Sequence, residues 1–434
     1  MLENIVVAGA GLGGLNAAYE LASHGISVTV LEQKARDTLS YDWEDDIEKG
    51  VFSEYNIPLP PKEFYKEKRF WTFVSPGNVH KTRVKQTPEH TDYSINRRIF
   101  SQVLADRATK AGAIIRYGVK VIAPVMESNA VVGVKVDNGT IYKGFVIDSL
   151  GANSILRDKL EPSFGISRAS DKKGIFYAFR AFYNRTTVDP ELNTNKAYLK
   201  HLGGDGISWC IDRDDSVDVL IGKVGENDKE YIDKALIDLK GDNPCLGSQL
   251  IKCGEIYSIP VRYPLTLMVA NGYALIGDCA YMTIPMLGSG MASSLKAGKI
   301  LADVISQASN DAVDKLWKYQ VAVFRTFGAQ HLAIDYMKRW ILGQDSAILN
   351  DIIGSNLISD ADFAVVSRGG MLKLTLIQKA KKALKGHFSL LFKLNDMLMK
   401  MNKIYKIGLS IPDKFVTSKI VEWDAKIMKI INDV

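Results

Sequence analysis

The sequence is short of the residues that build metal centres and disulfide frameworks. Its 434 residues contain only four cysteines and six histidines, and no two cysteines form a C-x-x-C pair. We therefore expect no metal site, no disulfides and a reducing, cytoplasmic environment. We expect no membrane-spanning helix, because no run of eighteen apolar residues is present, and no secretory signal, because none precedes the first apolar run.

Positive charge is concentrated at the C-terminal end. The whole chain has a formal net charge of +6, and residues 371–434 contain thirteen lysines, no arginine and five acidic residues. This basic tail is also rich in Leu, Met, Ile and Phe, which favours peripheral contact with the inner face of a membrane over nucleic-acid binding. A solvated lysine face over an ordinary helical core explains the same composition equally well.

The first residues predict a dinucleotide-binding turn. Asn4–Ala8 is a short apolar run, Gly9–Gly14 has G-x-G-x-x-G spacing, and residues 15–24 have a helical pattern. A second apolar run, Ser27–Leu31, ends at Glu32, whose carboxylate can accept hydrogen bonds from a ribose. Strand, turn, helix, strand and acid in this order favour a ligand site over a plain glycine-rich turn.

Each glycine of this fingerprint has an expected task. Gly9 allows the tight turn, Gly11 lets the backbone approach a pyrophosphate, and Gly14 lets the helix pack closely on the strand. The start of the helix, including Leu12 and Gly13, offers free N–H groups to the phosphates.

Two further motifs follow the fingerprint. Asp148–Arg157 has the spacing D-x-x-G-x-x-S-x-x-R, and Gly277-Asp278 precedes P-x-x-G-x-G at Pro285–Gly290. Together with Gly9–Gly14 and Glu32, this set resembles the FAD-dependent para-hydroxybenzoate hydroxylase superfamily. Within that superfamily the sequence is most similar to geranylgeranyl reductases and related FixC-type flavoproteins, over about residues 1–305.

The resemblance implies an α/β fold whose Rossmann-like FAD-binding domain is of the para-hydroxybenzoate hydroxylase type. A β-rich substrate domain is inserted into it, and a helical region follows. The expected limits are 1–160 and 266–310 for the FAD-binding domain, 161–265 for the substrate domain, and 311–434 for the helical region with its basic tail.

The resemblance also implies a set of roles. Arg97 would lie near the pyrophosphate or ribityl chain, Asp278 would bind ribityl hydroxyls, and the Gly288–Gly290 turn would face the flavin ring. Helix N–H groups at that turn would stabilise the negative charge of a reduced flavin. The predicted cofactor-binding residues are Gly9, Gly11, Leu12, Gly13, Gly14, Glu32, Gln33, Arg97, Asp148, Gly277, Asp278, Pro285, Gly288, Gly290 and Met291.

Catalytic and substrate-binding groups are less defined by the sequence. The catalytic candidates near the flavin are Pro285, Gly288, Asp45 and Asp46. The acidic-aromatic stretch that holds the two aspartates could equally be a solvated turn. The candidates for an apolar substrate pocket are Tyr177, Phe179 and Trp209, whose aromatic character plain core packing also explains.

Three reactions remain open at this point. The first is reduction of C=C bonds in a prenyl or other lipophilic substrate, with NAD(P)H or ferredoxin as the external electron donor. The alternatives are an FAD-dependent monooxygenase of an aromatic or lipophilic substrate and a redox-neutral or non-catalytic, membrane-associated flavoprotein. The form of Pro285–Met291, the aromatic substrate region and the basic tail favour the reductase.

Overall fold

The computed structural model describes residues 4–67, 70–85, 92–168, 174–187, 195–213, 215–354, 360–366, 369–372 and 388–433. In chain order the strands are β1 (Asn4–Ala8), β2 (Ser27–Glu32), β3 (Glu44–Glu48), β4 (Tyr65–Glu67), β5 (Phe70–Val74), β6 (Lys81–Lys85), β7 (Asp92–Asn96), β8 (Ile114–Tyr117), β9 (Val121–Glu127), β10 (Ala130–Val136), β11 (Ile141–Lys143), β12 (Phe145–Asp148), β13 (Ile175–Arg185), β14 (Lys196–Leu199), β15 (Gly206–Asp212), β16 (Ser216–Val224), β17 (Leu246–Pro260), β18 (Val269–Ala270) and β19 (Tyr273–Leu275).

The helices are α1 (Leu12–Ser23), α2 (Gly50–Glu54), α3 (Arg97–Lys110), α4 (Ile155–Lys159), α5 (Lys229–Asp242), α6 (Met291–Ser306), α7 (Val313–Val323), α8 (Ala329–Leu342), α9 (Ser346–Gly354), α10 (Asp360–Val366), α11 (Phe388–Leu409) and α12 (Thr417–Ile431). A π-helical turn, Phe324–Gly328, joins α7 to α8.

A six-stranded sheet contains the N-terminal fingerprint. Its strand order is β18-β19-β12-β1-β2-β8, parallel except for β18. The apolar run of β1 lies at its centre, with Ile5 to Ala8 buried, as is typical of a parallel sheet covered on both faces. Because β19 pairs with β12, the chain returns to this sheet after an excursion of more than a hundred residues.

The excursion forms most of a seven-stranded sheet of order β17-β13-β16-β15-β14-β5-β6. Helix α5 covers one face of this sheet through Ile232, Ala235 and Leu239. These features, together with the helices after α6, confirm the predicted fold class. Strands β5 and β6 come from residues 70–85, outside the predicted substrate domain, and the exact domain limits stay predictions.

The C-terminal helices pack on the rest of the chain. On α11, Gly408 lies so near α8 that an added Cβ would be 2.8 Å from the Cβ of Ala329. The Trp317 indole on α7 donates to the Pro412 carbonyl at 2.7 Å. None of the helices among the described residues is long and apolar enough to cross a membrane. Part of the predicted basic tail, residues 373–387, lies outside the described residues.

Helices α1 and α6 touch through their backbones. A Cβ added at Gly298 of α6 would lie 2.6 Å from the Gly13 carbonyl oxygen, and one added at Gly13 would lie 2.8 Å from the Ser294 carbonyl oxygen. The Asn16 side chain donates to the Leu295 carbonyl at 2.8 Å across the same interface. Glycine at both positions is therefore what allows the two helices to meet.

We expect Gly298→Ala to lower the free energy of unfolding by about 1–3 kcal/mol, because the methyl group has no space between the helices. The measurement is chemical denaturation followed by circular dichroism. Gly241→Ala in α5 is the matched control, since an added Cβ there meets nothing within 4 Å. It should stabilise the protein by about 0.5–1 kcal/mol. Equal behaviour of both variants would contradict the tight contact.

Candidate active site

The start of α1 is an uncapped helix N-terminus at the carboxyl edge of the six-stranded sheet. The turn before it has Gly9 at φ +90, a backbone conformation that favours glycine. Gly11 is the N-cap residue of α1, and no side chain caps its N–H groups. Free N–H groups and the positive end of the helix dipole suit a phosphate.

Glu32, the last residue of β2, is hydrogen-bonded to this turn. Its Oε2 accepts a hydrogen bond from the Ala10 N–H, and its Oε1 accepts one from the Lys34 N–H, both at 2.8 Å. The carboxylate is half-buried and the neighbouring Gln33 is exposed. The geometry supports a place for Glu32 beside the turn, and its predicted contact with a ribose stays a prediction.

The start of α6 is a second uncapped helix N-terminus. Gly290 is its N-cap residue without a side-chain cap, and it is followed by the buried Met291. Two residues earlier Gly288 has φ +67, and Pro285 is buried. Since α1 and α6 touch near their N-terminal halves, their free N–H groups lie on the same side of the molecule. We call this surface, bounded by Gly11, Glu32, Arg97, Asp278 and Gly290, the cofactor edge.

Asp278 lies beside the start of α6. A Cβ added at Gly290 would be 3.1 Å from the Oδ1 atom of Asp278. Burial raises the pKa of the Asp278 carboxyl, and the nearby Arg97 cation opposes that rise. Arg97 is the first residue of α3, whose N-cap Asn96 accepts a hydrogen bond from the Ile99 N–H. A cation and an acid predicted from separate motifs are thus brought together.

Asp148, the first residue of the second motif, is buried. It is 0 % exposed and accepts hydrogen bonds from the Ser154 hydroxyl, the Tyr273 hydroxyl and the Leu150 N–H. Burial raises the pKa of this carboxyl. These bonds give Asp148 a supporting role in the turn after β12, and its contact with the cofactor stays a prediction.

Arg157, the last residue of the same motif, supports the loop that contains Asp278. Its guanidinium donates to the Cys279 carbonyl at 2.8 Å and to the Ala152 carbonyl at 2.7 Å. The aspartate, serine and arginine of the motif therefore hold the turn after β12 against the loop after β19. Within that loop, Gly277 has φ +76 and is buried.

The three predicted pocket aromatics do not share one face of the seven-stranded sheet. Phe179 packs in the cluster under α5, and Tyr177 has the same alternation along β13. Trp209 packs on the opposite face, with Phe176 and Leu220. Side chains in a strand alternate between faces, so only Trp209 is on the face that looks toward the cofactor edge. The prediction of one pocket lined by all three is corrected accordingly.

The face with Trp209 is apolar where it meets the Gly288 turn. A Cβ added at Gly288 would lie 3.3 Å from Ile259 Cγ2 and 4.0 Å from Val261 Cγ1. Val261 is buried in the same cluster as Phe176. The turn predicted to face the flavin ring thus lies against an apolar wall.

A buried ion network, which the sequence reasoning missed, lies on this same face. The Arg180 network consists of three arginines and three carboxylates: Arg97, Arg180, Arg213, Glu44, Asp45 and Asp218. Arg180 bonds both oxygens of Asp218 at 3.1 and 2.8 Å. Its Nη1 also bonds Asp45 Oδ1 at 2.7 Å. The sequence did contain one indication of this network, namely Arg180 and Asp218 within otherwise apolar strands.

Asp45 and Asp46, the two acidic catalytic candidates, differ in their relation to the Arg180 network. Burial acts to raise the pKa of Asp45, but the cations of Arg180 and Arg97 outweigh it and hold the pKa below its ordinary range. Asp45 is therefore a permanent carboxylate and a poor proton donor. Asp46 lies against the Gly288 turn, where its carbonyl accepts a hydrogen bond from the Ser289 hydroxyl at 3.3 Å. Asp46 thus contacts the turn through its backbone, and its catalytic role stays a prediction.

We expect Asp218→Asn to destabilise the protein by about 3–5 kcal/mol near neutral pH, because it leaves two buried arginines short of a carboxylate. Arg180 and Arg213 hold the pKa of Asp218 at about 2 against the opposing effect of burial. A carboxyl with a lowered folded-state pKa stabilises the protein above its unfolded pKa. That contribution is lost as the pH falls toward 2.

Urea denaturation at several pH values tests this expectation, and the difference between wild type and variant should shrink on acidification. Asp233→Asn is the control, since its exposed i,i+4 pair with Lys229 contributes at most about 0.5 kcal/mol. A difference that is constant with pH would contradict a charged Asp218.

Comparison with known proteins gives one family model and a set of relatives that match over most of the chain. The model of an NAD(P)-binding Rossmann-like domain matches residues 7–69. A digeranylgeranylglycerophospholipid reductase of Sulfolobus acidocaldarius is 24% identical over 463 residues, covering 99% of this chain and 97% of that protein. The protein of the same name from Thermoplasma acidophilum is 23% identical and covers 80% of this chain and 88% of its own length.

Solved structures show the same fold. A geranylgeranyl bacteriochlorophyll reductase-like protein from Thermoplasma acidophilum has a TM-score of 0.74 at 20% identity, covering 92% of this chain and all of that one. A flavin-dependent brominase has a TM-score of 0.63 at 18% identity, over 85% of this chain and 94% of its own. The predicted resemblance to geranylgeranyl reductases is confirmed. The chain is an oxidoreductase similar to these reductases, and its flavin-dependent neighbours imply a flavin cofactor.

Proposed function

We propose that the chain is an FAD-dependent reductase that saturates C=C bonds of a prenyl or other lipophilic substrate. The observation that carries this proposal is the pair of uncapped helix N-termini, at Gly11 and Gly290, held on one edge by the α1–α6 contact. The full-length similarity to reductases named for geranylgeranyl lipids supports the choice of reaction.

The residues of the cofactor edge fit FAD. The start of α1 would hold the pyrophosphate, Glu32 the adenosine ribose, and Asp278 the ribityl hydroxyls. The start of α6 would place N–H dipoles at the ring, where reduction adds negative charge. Bound FAD would supply hydride transfer from its reduced ring.

The apolar wall beside the Gly288 turn suits a hydrocarbon substrate. Phe176, Leu220, Ile259 and Val261 present no hydrogen-bonding side chain there. Such a surface excludes water from a bound double bond and leaves orientation to shape. The proton for saturation would come from a group other than Asp45, which its two arginines hold as a carboxylate.

Reduction of the cofactor would require an external donor, either NAD(P)H or ferredoxin. We propose the donor as a separate partner, because the chain has no second dinucleotide fingerprint besides Gly9–Gly14. Anaerobic mixing with each donor, followed by the flavin absorbance, would identify it.

The reaction itself is tested with chemically reduced holoenzyme and a geranylgeranyl lipid under anaerobic conditions. We expect reoxidation of the flavin and a product that gains two hydrogens per saturated bond, measured by mass spectrometry. Asp278→Ala should weaken FAD binding about ten- to a hundredfold, through loss of charged hydrogen bonds. Asp314→Ala, an exposed aspartate on α7, is the matched control.

Two outcomes would contradict this function. A product that gains an oxygen atom in air, with no reoxidation by the lipid without oxygen, would favour a monooxygenase. Full flavin retention in Asp278→Ala would overturn the site assignment.

We also propose that the C-terminal region contacts an anionic membrane surface. On α11, Phe392 and Met399 are 77% and 64% exposed and stand seven residues apart, so they lie on one stripe of the helix. Lys403 and Lys406 are exposed on the same stripe, and its acid, Asp396, is paired with Lys400. Exposed apolar side chains beside lysines are typical of a helix that lies in a bilayer interface.

A cavity adjoins this helix. Its volume is about 450 Å³, and its lining includes Tyr405 of α11, Gln330 of α8 and Leu372. The neighbouring Gly369 packs on Ile284, just before Pro285, since an added Cβ there would be 2.8 Å from Ile284 Cγ2. The cavity wall thus connects α11 with the segment that packs on the loop before Gly288.

We expect the holoenzyme to co-sediment with vesicles that contain anionic lipid, and less so at high salt. Reversing the charge of Lys403 and Lys406 to glutamate should weaken binding by at least about tenfold, given roughly 1 kcal/mol for each lysine near the surface. Ile237→Ser, an exposed apolar residue on α5, is the control and should bind like wild type. Equal binding of the charge-reversed variant would contradict the assigned surface.

A further inference from the structure

A column of stacked side chains joins the seven-stranded sheet to the cofactor edge. The Arg180 guanidinium lies 4.7 Å from the centre of the Trp43 ring. Trp43 stacks on Tyr41 with 4.4 Å between ring centres and an 11° angle between planes. The Arg97 guanidinium lies 5.3 Å from the centre of the Tyr41 ring. Cation–π and stacking contacts of this kind favour one relative placement of the four groups.

Asp45 ties the two ends of this column together. Its Oδ1 bonds Arg180 at 2.7 Å, and its Oδ2 bonds Arg97 at 3.0 Å. The Trp43 indole donates to the same Oδ2 atom at 2.9 Å. A second Arg180 nitrogen donates to the Glu44 carbonyl at 2.9 Å, which fixes the backbone beside Asp45.

The sheet supports the middle of the column as well. Tyr257 of β17 meets both rings edge-on, with ring centres 5.0 Å from Trp43 and 5.7 Å from Tyr41. Backbone pairing adds a link at the other end, where the Arg97 N–H donates to the Trp43 carbonyl at 3.0 Å.

Arg180 and Tyr41 differ strongly in burial. Arg180 is only 5% exposed and is buried against the sheet. Tyr41 is 40% exposed and lies near enough to Asp278 for that charge to contribute to raising the pKa of Tyr41. Arg180 therefore does not reach the cofactor edge itself, but it contacts two of the groups that place Tyr41 and Arg97 there.

We propose that Arg180 is a positioning residue that holds Tyr41 and Arg97 in place for cofactor binding. An arginine suits this position because its planar guanidinium bonds Asp45, Asp218 and the Glu44 carbonyl at once. This inference rests on the proposed FAD function. It adds that FAD affinity depends on a side chain that does not touch FAD.

The test compares Arg180→Met with Arg213→Met in the full-length chain. Both remove one buried arginine from Asp218, but Arg213 bonds Glu44 and makes no bond to Asp45 among the described contacts. We expect the FAD dissociation constant, measured by fluorescence titration of the deflavinated protein, to rise about tenfold in Arg180→Met. A tenfold rise corresponds to the loss of one well-oriented charged hydrogen bond to FAD from a group that Arg180 positions, such as Arg97.

Arg213→Met should stay within about twofold of wild type, while both variants lower the melting temperature. An equal rise in the FAD dissociation constant in both variants, or none in Arg180→Met, would overturn the proposal. Failure of the wild type to bind FAD would instead overturn the proposed function.

Arg180→Lys gives a second route if Arg180→Met does not fold. Lysine keeps the charge, but its three donors sit on one nitrogen and cannot reproduce the four bonds that the planar guanidinium makes, so FAD affinity should remain several-fold below wild type. Full wild-type affinity in Arg180→Lys would show that charge alone suffices, and would also overturn the proposal.

Discussion

The close contact between α1 and α6 is the constraint on which the cofactor edge depends. Gly13 and Gly298 are nearly three hundred residues apart in the sequence, yet the backbone of each helix fills the space that a side chain on the other would need. Because the helices meet there, two sets of free N–H groups open on one surface. The surface therefore requires that the chain return to the six-stranded sheet after β12, through the pairing of β19 with β12.

Features that rest on local backbone requirements could be predicted from the sequence. The turn at Gly9 and the turn at Gly288 both need positive φ, and glycine at these places is visible without a structure. The aspartate of the second motif could not be placed in the same way. Its spacing from Ser154 and Arg157 indicated a site, but only the fold shows that these residues bond one another and the chain.

Features that rest on strand register were beyond the sequence. Whether Phe179 or Trp209 faces the cofactor edge depends on pairing between β13, β16 and β15, and a shift of one residue would exchange the faces. The same register brings Arg180 beside Asp218. An arginine and an aspartate in apolar strands indicate a buried pair, but the third partner, Asp45, comes from a strand of another sheet.

The Arg180 network, where the seven-stranded sheet meets β3, can contain so much charge because its three arginines and three carboxylates balance. Each arginine and carboxylate of the Arg180 network would be costly to bury alone, and the cost is offset only when all the segments that supply them have assembled. Paired ions thus hold the Arg180 network together, whereas apolar packing forms the wall beside Gly288. The two surfaces have different consequences for chemistry: one fixes charges permanently, and the other excludes water where a hydrocarbon would react. The carboxylates paired with these arginines are therefore unsuited to donate a proton, and the donor has to be a group outside the Arg180 network.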